Sequence, residues 1–377
     1  MITTIIPTFQ RPGLLVRAVR SVLDQEFAGV AVQIYDNASA DETRSVAEEL
    51  MRLDPRVSYH RHDANIGSVE NFNFALGRVK TRYFSLLSDD DILLPGFYQA
   101  ATTGLEAAPR AGFYCGRTAI CNPETRAVTL SREWPAGLYA AGEDAMLRMI
   151  RSHFPWNGVL WRRRVLDTVS RLDQFGSDDN FIVKASLRHD FIVSDRVAAV
   201  LFLHPDGLTG GLLAGSARLD SGSVSPYIEH LIGRPRRLQE DLAAEPDLAA
   251  SIVDRARQAL RLELRRDLLS HFLFKSLPSG RAREMDVIRT TLREDGIAPH
   301  WRALLAALRA NARAEGRMAR LQAAAAKSIV ARRDARRQSL AKRDPEAIAV
   351  WSNIERANAR AESSLSVVPR EVSIAPP

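Results

Sequence analysis

The chain has 377 residues, room for one large domain or two ordinary ones, and its 46% apolar content is that of a globular protein. Its two cysteines, Cys115 and Cys121, fit no zinc spacing and cannot build a disulfide framework, which points to a reducing compartment. The net charge of +7 is densest between Arg302 and Arg343, a stretch with few aromatics for base stacking and no recognised nucleic-acid module, so no nucleic-acid partner is expected.

Ile2 to Ile6 is a β-branched apolar run stopped by Pro7. Leu14, Leu15, Ala18, Val19, Val22 and Leu23 then recur at helical spacing. Val30 to Tyr35 is a second strand, stopped by Asp36-Asn37-Ala38-Ser39, and a helix runs from Asp41 through Leu53. Val57 to His60 is a short strand, Asn71 to Val79 a helix, and Tyr83 to Leu87 a fourth strand. This alternation predicts an α/β fold with a mainly parallel sheet and helices on both faces. Further on, Phe113–Gly116, Gly158–Trp161 and Val193–Leu203 read as strands, and Ala141–Ile150 and Asn180–Leu187 as helices.

Gly207 to Ser225 is rich in Gly and Ser and reads as a loop or linker, with 207–215 a candidate lid. Beyond Pro226 the character changes to helical segments rich in Ala, Leu, Arg and Glu over 228–245, 247–275, 281–294 and 299–343. Trp301, Leu304, Leu305, Leu308 and Ala312 mark an apolar stripe on the last of these. The expected organisation is a catalytic domain over 1–225, a helical region over 226–345 and a disordered tail over 346–377. The start of the chain has no basic segment ahead of an apolar one, and no uncharged apolar run reaches the length of a membrane span, so a soluble or peripheral protein is expected.

Polar clusters fall at successive strand ends. Asp89, Asp90 and Asp91 follow the fourth strand, and three adjacent carboxylates call for water, backbone N–H groups or a cation to relieve their repulsion. Open α/β sheets hold ligands at the carboxyl ends of their strands. A divalent cation bridging these acids to a diphosphate would be Mg²⁺ or Mn²⁺, which take oxygen ligands. The alternative is a helix N-cap ahead of Ile92-Leu93-Leu94. Asp36-Asn37-Ala38-Ser39 taken alone reads as an Asx turn leading into a capped helix. Asp178-Asp179 precedes a helix and taken alone reads as another cap.

Together, Ile6-Pro7-Thr8-Phe9, Asp36-Asn37-Ala38-Ser39, the Asn-x-Gly-x-x-x-Asn of 65–71 and Ser88-Asp89-Asp90-Asp91-Ile92-Leu93-Leu94-Pro95 resemble the family 2 glycosyltransferases over about residues 2–205. That family has the GT-A nucleotide-sugar-binding fold, Rossmann-like and mainly parallel, and the chain looks most like bacterial members that build surface polysaccharides. The resemblance implies that Pro7, Thr8, Phe9 and Arg11 line a nucleoside pocket and that Asp36 contacts the base. It places Asn65, Gly67 and Asn71 on the donor side. It further implies that Asp89 contacts ribose and that Asp90 holds Mn²⁺ or Mg²⁺ on the diphosphate. Ser88 stands where many members carry a further acid. The family's catalytic base aligns with Asp179, while Asp178 replaces a glutamate. Trp156, Asn157 and Asp178 would face the acceptor, and His204 would be a second metal ligand or a phosphate donor.

The expected activity is therefore metal-dependent, inverting transfer of a sugar from a nucleoside-diphosphate sugar to a saccharide or lipid-linked acceptor. The expected place is cytoplasmic, peripheral on the inner face of a membrane. The helical C-terminal region would contact a second copy of the chain or the membrane surface. The competing reading is a scaffold that keeps the sheet, has lost catalysis and acts through its helices. A nucleotidyltransferase would be expected to carry a Gly-rich basic loop after the first strand, where this chain has Pro7-Thr8-Phe9-Gln10-Arg11.

Overall fold

A computed structural model of the chain describes residues 1–131, 134–169, 171–172, 178–204, 224–245, 248–272, 276, 282–294 and 345–365. It divides into two compact units, one formed by Met1–Leu203 with Ala341–Pro377 and one by His204–Leu340.

The first unit opens with β1 (Ile2–Thr8), α1 (Pro12–Leu23), β2 (Val30–Asp36), α2 (Thr43–Leu53), β3 (Val57–Arg61), α3 (Ser68–Leu76) and β4 (Tyr83–Leu86). All seven residues of β1 are buried, as befits a parallel strand covered on both faces. β1 runs parallel to β2 from Ile2↔Val30 to Thr8↔Asp36, and parallel to β4 from Ile2↔Tyr83. β3 adds to β2 in the same direction. The alternation in the sequence therefore appears as four parallel strands. α1 starts at Pro12, whose fixed φ suits a first helical turn, and packs Leu15, Val16, Val19 and Val22 into the core.

The chain continues with β5 (Ile92–Leu93), α4 (Phe97–Ala107), β6 (Ala111–Asn122), β7 (Ala127–Leu130), β8 (Gly137–Tyr139), α5 (Glu143–Arg151), a 3₁₀ turn (Trp156–Gly158), β9 (Val159–Arg162), α6 (Asp178–Arg188) and β10 (Asp190–Phe202). The sheet order is β3-β2-β1-β4-β9-β6-β10-β5, with β7 beside β6 and β8 beside β10. β9 is antiparallel to both β4 and β6, and so joins the parallel set to the rest of the sheet.

Two expectations are corrected here. Ile92-Leu93 is an edge strand paired with β10 through Ala199↔Leu93 and Val200↔Ile92, and the next helix begins only at Phe97, behind Gly96 with φ +77°. The acid triplet is thus not a helix cap. The apolar residues after it are drawn into the sheet, and Pro95-Gly96 separates them from the helix. The second correction concerns the tail. Residues 345–365 form a helix rather than a disordered segment. Its Val350 and Ile354 are buried against Ile92, Leu94, Val200 and Phe202. Arg360 pairs with Asp24 at 2.8 Å and Arg126 with Glu355 at 2.9 Å. An apolar stripe on this helix finds a matching apolar patch at the β5–β10 edge, and that burial orders it.

The second unit contains α7 (Pro226–Ala243), α8 (Ala250–His271) and α9 (Ala282–Glu294). Ile228, Leu231, Leu264, Leu268, Phe272, Ile288 and Leu292 form its core. Glu284 lies inside it, accepting from Ser225 N at 2.9 Å and facing His271 Nε2 at 3.1 Å. The final helix, Pro345–Leu365, is called α10 below. The expected helix over 299–343, with its Trp301–Leu308 stripe, and the candidate lid over 207–215 lie outside the described residues. No helix among the described residues is long and apolar enough to cross a membrane.

Candidate functional site

The parallel register brings the carboxyl ends of β1 and β2 side by side, with Thr8 opposite Asp36. The chain leaving β4 brings the acid triplet to the same edge. Thr8 Oγ1 donates to Asp89 Oδ2 at 2.7 Å. Arg11 Nη1 reaches Asp89 Oδ1 at 3.1 Å and Asp90 Oδ2 at 3.0 Å. Arg17 rises from α1 beneath the triplet and donates from Nη2 to the Asp90 carbonyl at 2.6 Å.

All three acids are nearly buried, at 5%, 8% and 4% exposure for Asp89, Asp90 and Asp91. Loss of water pushes the Asp89 carboxyl up to about 6, the neighbouring Asp90 charge adds to this, and Arg11 opposes it. Burial likewise raises Asp91 well above the usual carboxylate range. The same burial lowers the Arg17 guanidinium, against the pull of the three acids.

Asp91 has a separate job. Its Oδ1 accepts from Phe202 N at 2.9 Å and its Oδ2 from Asn157 Nδ2 at 3.0 Å. It ties the triplet to β10 and to the 3₁₀ turn. Asn157 is fully buried, so the expected acceptor-side residue is instead part of this frame. Trp156 beside it is half-buried and packs on Phe72 with ring centres 4.4 Å apart.

Asp36 also departs from its expected role. It has no exposed surface, and its oxygens accept from Ser39 N at 2.9 Å and Tyr59 Oη at 2.6 Å, with Arg61 Nε 3.7 Å away. It holds β2, β3 and the following turn together rather than opening onto a base. Tyr59 is pushed above its usual range by burial and by this bond. Asn71 is a second inward-facing polar group, bonded to His62 Nε2 at 3.0 Å and to the Tyr35 carbonyl at 2.9 Å.

Asn65 and Gly67 are exposed. Asn65 Oδ1 accepts from Asn37 Nδ2 at 2.8 Å and from Gly67 N at 2.9 Å, while Gly67 takes φ +85° ahead of α3. Pro7 is buried within β1, and Phe9 stands 39% exposed at the lip. Gln10 and Ala38 hold φ of +55° and +64°, and Gln10 N donates to Ser39 Oγ at 2.8 Å. Left-handed backbone costs a non-glycine residue roughly 1–2 kcal/mol, and such strain collects where a site must keep its shape.

Asp179 lies in the first turn of α6, which Asp178 opens, and the helix packs Phe181 edge-on to Trp161 of β9 at 5.0 Å. It is 7% exposed, and its Oδ1 is 2.8 Å from His153 Nε2. His204 is the first residue of the second unit.

Several of these residues were not foreseen. Arg17 sits at a helical position among apolar neighbours and carried no motif. His153 follows α5 with no fixed spacing to Asp179. Only Asp91 stood in a cluster already singled out.

Residues 3–170 match the profile of glycosyl transferase family 2. Over these residues the chain is similar to that family. The matched residues run from within β1 through β9 and include the acid triplet. The GalNAc(5)-diNAcBac-PP-undecaprenol beta-1,3-glucosyltransferase of Campylobacter jejuni is 33% identical over 96 residues, 25% of this chain and 31% of that protein. The succinoglycan biosynthesis protein ExoO of Rhizobium meliloti is 31% identical over 94 residues, 25% of this chain and 26% of its own length. The chain thus spans under a third of these two curated relatives. S. aureus TarS 1-349 in complex with UDP-GlcNAc superposes with a TM-score of 0.54 at 17% identity, covering 74% of this chain and 78% of that one. The fold is that of the GT-A glycosyltransferases.

Proposed function

We propose that this protein is an inverting glycosyltransferase of polysaccharide biosynthesis, moving a sugar from a nucleoside-diphosphate sugar to a saccharide or lipid-linked hydroxyl. The observation that carries the reading is the desolvated group of Thr8, Arg11, Asp89 and Asp90 at the strand ends of the matched residues. Nothing observed favours the reading as an inactive scaffold.

A divalent cation suits the acids of this group. Asp89 and Asp90 offer hard oxygens, and their crowded charge, felt in the raised Asp89 carboxyl, would be relieved by a cation. Among the described residues no cluster of three or more possible ligands forms a full cage. Mg²⁺ and Mn²⁺ are suited to such a site, where one or two carboxylates are joined by substrate phosphates and water. Asp90 is the principal ligand in this reading, and Asp89 faces the ribose. When bound, the cation would supply charge neutralisation at the diphosphate.

The chain's own residues do the rest. Thr8 and Arg11 fix the orientation of the Asp89 and Asp90 carboxylates, and Arg17 anchors the backbone beneath them. Phe9, Asn65 and Gly67 present exposed surface to the nucleoside side, and Trp156 presents its half-exposed ring to the acceptor. Asp179 takes the proton of the acceptor hydroxyl as its oxygen bonds to the anomeric carbon. The bond from that carbon to the diphosphate oxygen breaks, and the diphosphate leaves with the electron pair. One displacement inverts the centre. His153 holds one oxygen of Asp179 and so orients the base.

The test is a melting-temperature screen of nucleoside diphosphates with and without Mn²⁺, since a ligand bound only by the folded form raises the transition. The wild type should respond to one nucleoside diphosphate in a way that EDTA abolishes, and Asp90→Asn should lose that response while keeping its own transition. An unchanged response in Asp90→Asn would remove the metal role.

A further inference from the structure

A cleft of about 620 Å³ opens at the end of β4 away from the acid triplet. Lys80 and Arg82, ahead of β4, form one wall, and Arg162, Arg163 and Arg164, at the end of β9, form the other. The two walls meet because β4 and β9 are antiparallel, with Tyr83 paired to Arg162. The acid triplet leaves the far end of β4, up to roughly 20 Å away at the rise of a strand. The cleft is therefore separate from the donor site.

Its charge is unbalanced. Arg82 pairs with Glu106 at 3.0 Å and Arg163 with Asp167 at 3.0 Å, both on the exposed rim. Lys80 makes no ion pair among the described residues. Arg162 and Arg164 are held by neutral groups. Arg162 is buried, with Nε donating to the Ala111 carbonyl at 2.9 Å, Nη1 to Tyr83 Oη at 3.1 Å and Nη2 to the Leu105 carbonyl at 2.5 Å, so it adds charge rather than a contact. The exposed Arg164 is held through Nη2, which donates to the carbonyls of Pro109 and Arg110 at 2.9 and 2.7 Å. These bonds fix two guanidiniums in place without cancelling their charge. Asp190, which also acts on Arg164, pairs with Arg110 at 3.6 Å, so six cations face three carboxylates and an excess of three remains. Burial, and then the charge of Arg162, hold Arg164 below the ordinary arginine value.

We propose that this cleft is a binding site for a phosphate-bearing anion. The Arg164 guanidinium, fixed through Nη2, can turn its other N–H groups to phosphate oxygens, and the exposed Lys80 on the facing wall can reach a further oxygen. A multiply charged group answers an excess of three positive charges better than a single carboxylate does. The volume leaves room for more than one phosphate, so the source is a soluble phosphorylated compound or an anionic lipid headgroup.

The experiment uses the full chain in EDTA, with pyrophosphate measured by calorimetry and vesicles of phosphatidylcholine with and without phosphatidylglycerol measured by sedimentation. Lys80→Ala/Arg163→Ala removes one cation from each wall at exposed positions and should weaken binding on the order of tenfold per lost cation. Lys80→Arg/Arg163→Lys, which keeps the charge, should bind near the wild-type level. Asp90→Asn and the exposed pair Arg44→Ala/Arg52→Ala should bind as wild type. Sensitivity seen with pyrophosphate assigns a soluble source, and sensitivity seen with anionic vesicles alone assigns a headgroup. The proposal is overturned if the wild type binds neither probe, if Lys80→Ala/Arg163→Ala binds both as wild type does, or if either control loses as much as that variant.

Discussion

Asp91 and Asp90 are adjacent carboxylates with opposite expected behaviour. Asp91→Ala leaves two buried donors, Phe202 N–H and Asn157 Nδ2, without their acceptor. Each orphaned buried donor costs about 1–3 kcal/mol, a gross loss of about 2–6 kcal/mol. Removing the carboxylate also recovers its desolvation, the leading cause of its raised pKa, which brings the net loss to about 2–4 kcal/mol. Asp90→Asn keeps the side-chain shape and relieves repulsion with both neighbours, so its stability should stay within about 1 kcal/mol of wild type. Urea unfolding followed by tryptophan fluorescence measures both, because Trp161 is buried in the same sheet. At a slope of about 2 kcal/mol per molar urea, Asp91→Ala should lower the midpoint by about 1–2 M. The division of labour within the triplet fails if Asp91→Ala loses less than Asp90→Asn.

The remaining predictions concern the base, a histidine and the final helix. Asp179→Asn should bind nucleoside diphosphate normally yet lose roughly 10²–10⁴-fold in turnover, as expected for a positioned base; near-normal turnover would move that role elsewhere. His189 has its pKa lowered, by burial first and then by Arg164 and Arg188, while its Nε2 lies 2.7 Å from Thr168 Oγ1. The unfolded chain then takes up this proton at a higher pH than the folded one, so the contribution is present above the ordinary value of 6.5 and is lost as pH falls through the folded value. His189→Gln should flatten the stability profile on that acid side, and an unchanged profile in urea titrations would refute the assignment. Ile354→Ala on α10 should cost about 2–5 kcal/mol, the usual range for emptying a packed apolar site. For the same reason a chain ending at Ser225, which lacks α10 and exposes Ile92, Leu94, Val200 and Phe202, should aggregate; a stable soluble product would show that this helix is dispensable.

Much of the first unit was legible in the sequence because its signals are local. Apolar runs of four to seven residues, helical spacing and turn residues between them dictate β1 to β4 with their helices. Parallel pairing follows from the crossovers, and it brings strand-end polar residues to one edge. The acid triplet was visible for that reason. What the triplet does depended on contacts distant in the chain. Asp91 became a strut because Phe202 and Asn157 arrive from β10 and the 3₁₀ turn, 111 and 66 residues away in sequence. Arg17 reads as an ordinary helical arginine until β5 and β10 cover it and bring Phe202 within 4.2 Å of its guanidinium. Asp36 was expected, by resemblance, to contact the base, yet Tyr59 from the neighbouring strand closes over it. The segment that forms α10 was expected to lie in a disordered tail. Its order comes from the β5–β10 edge, a surface that exists only once the sheet has formed. Local sequence determines which segments are strands and helices, whereas the burial and pairing of each polar side chain are decided by which distant segment comes to lie upon it.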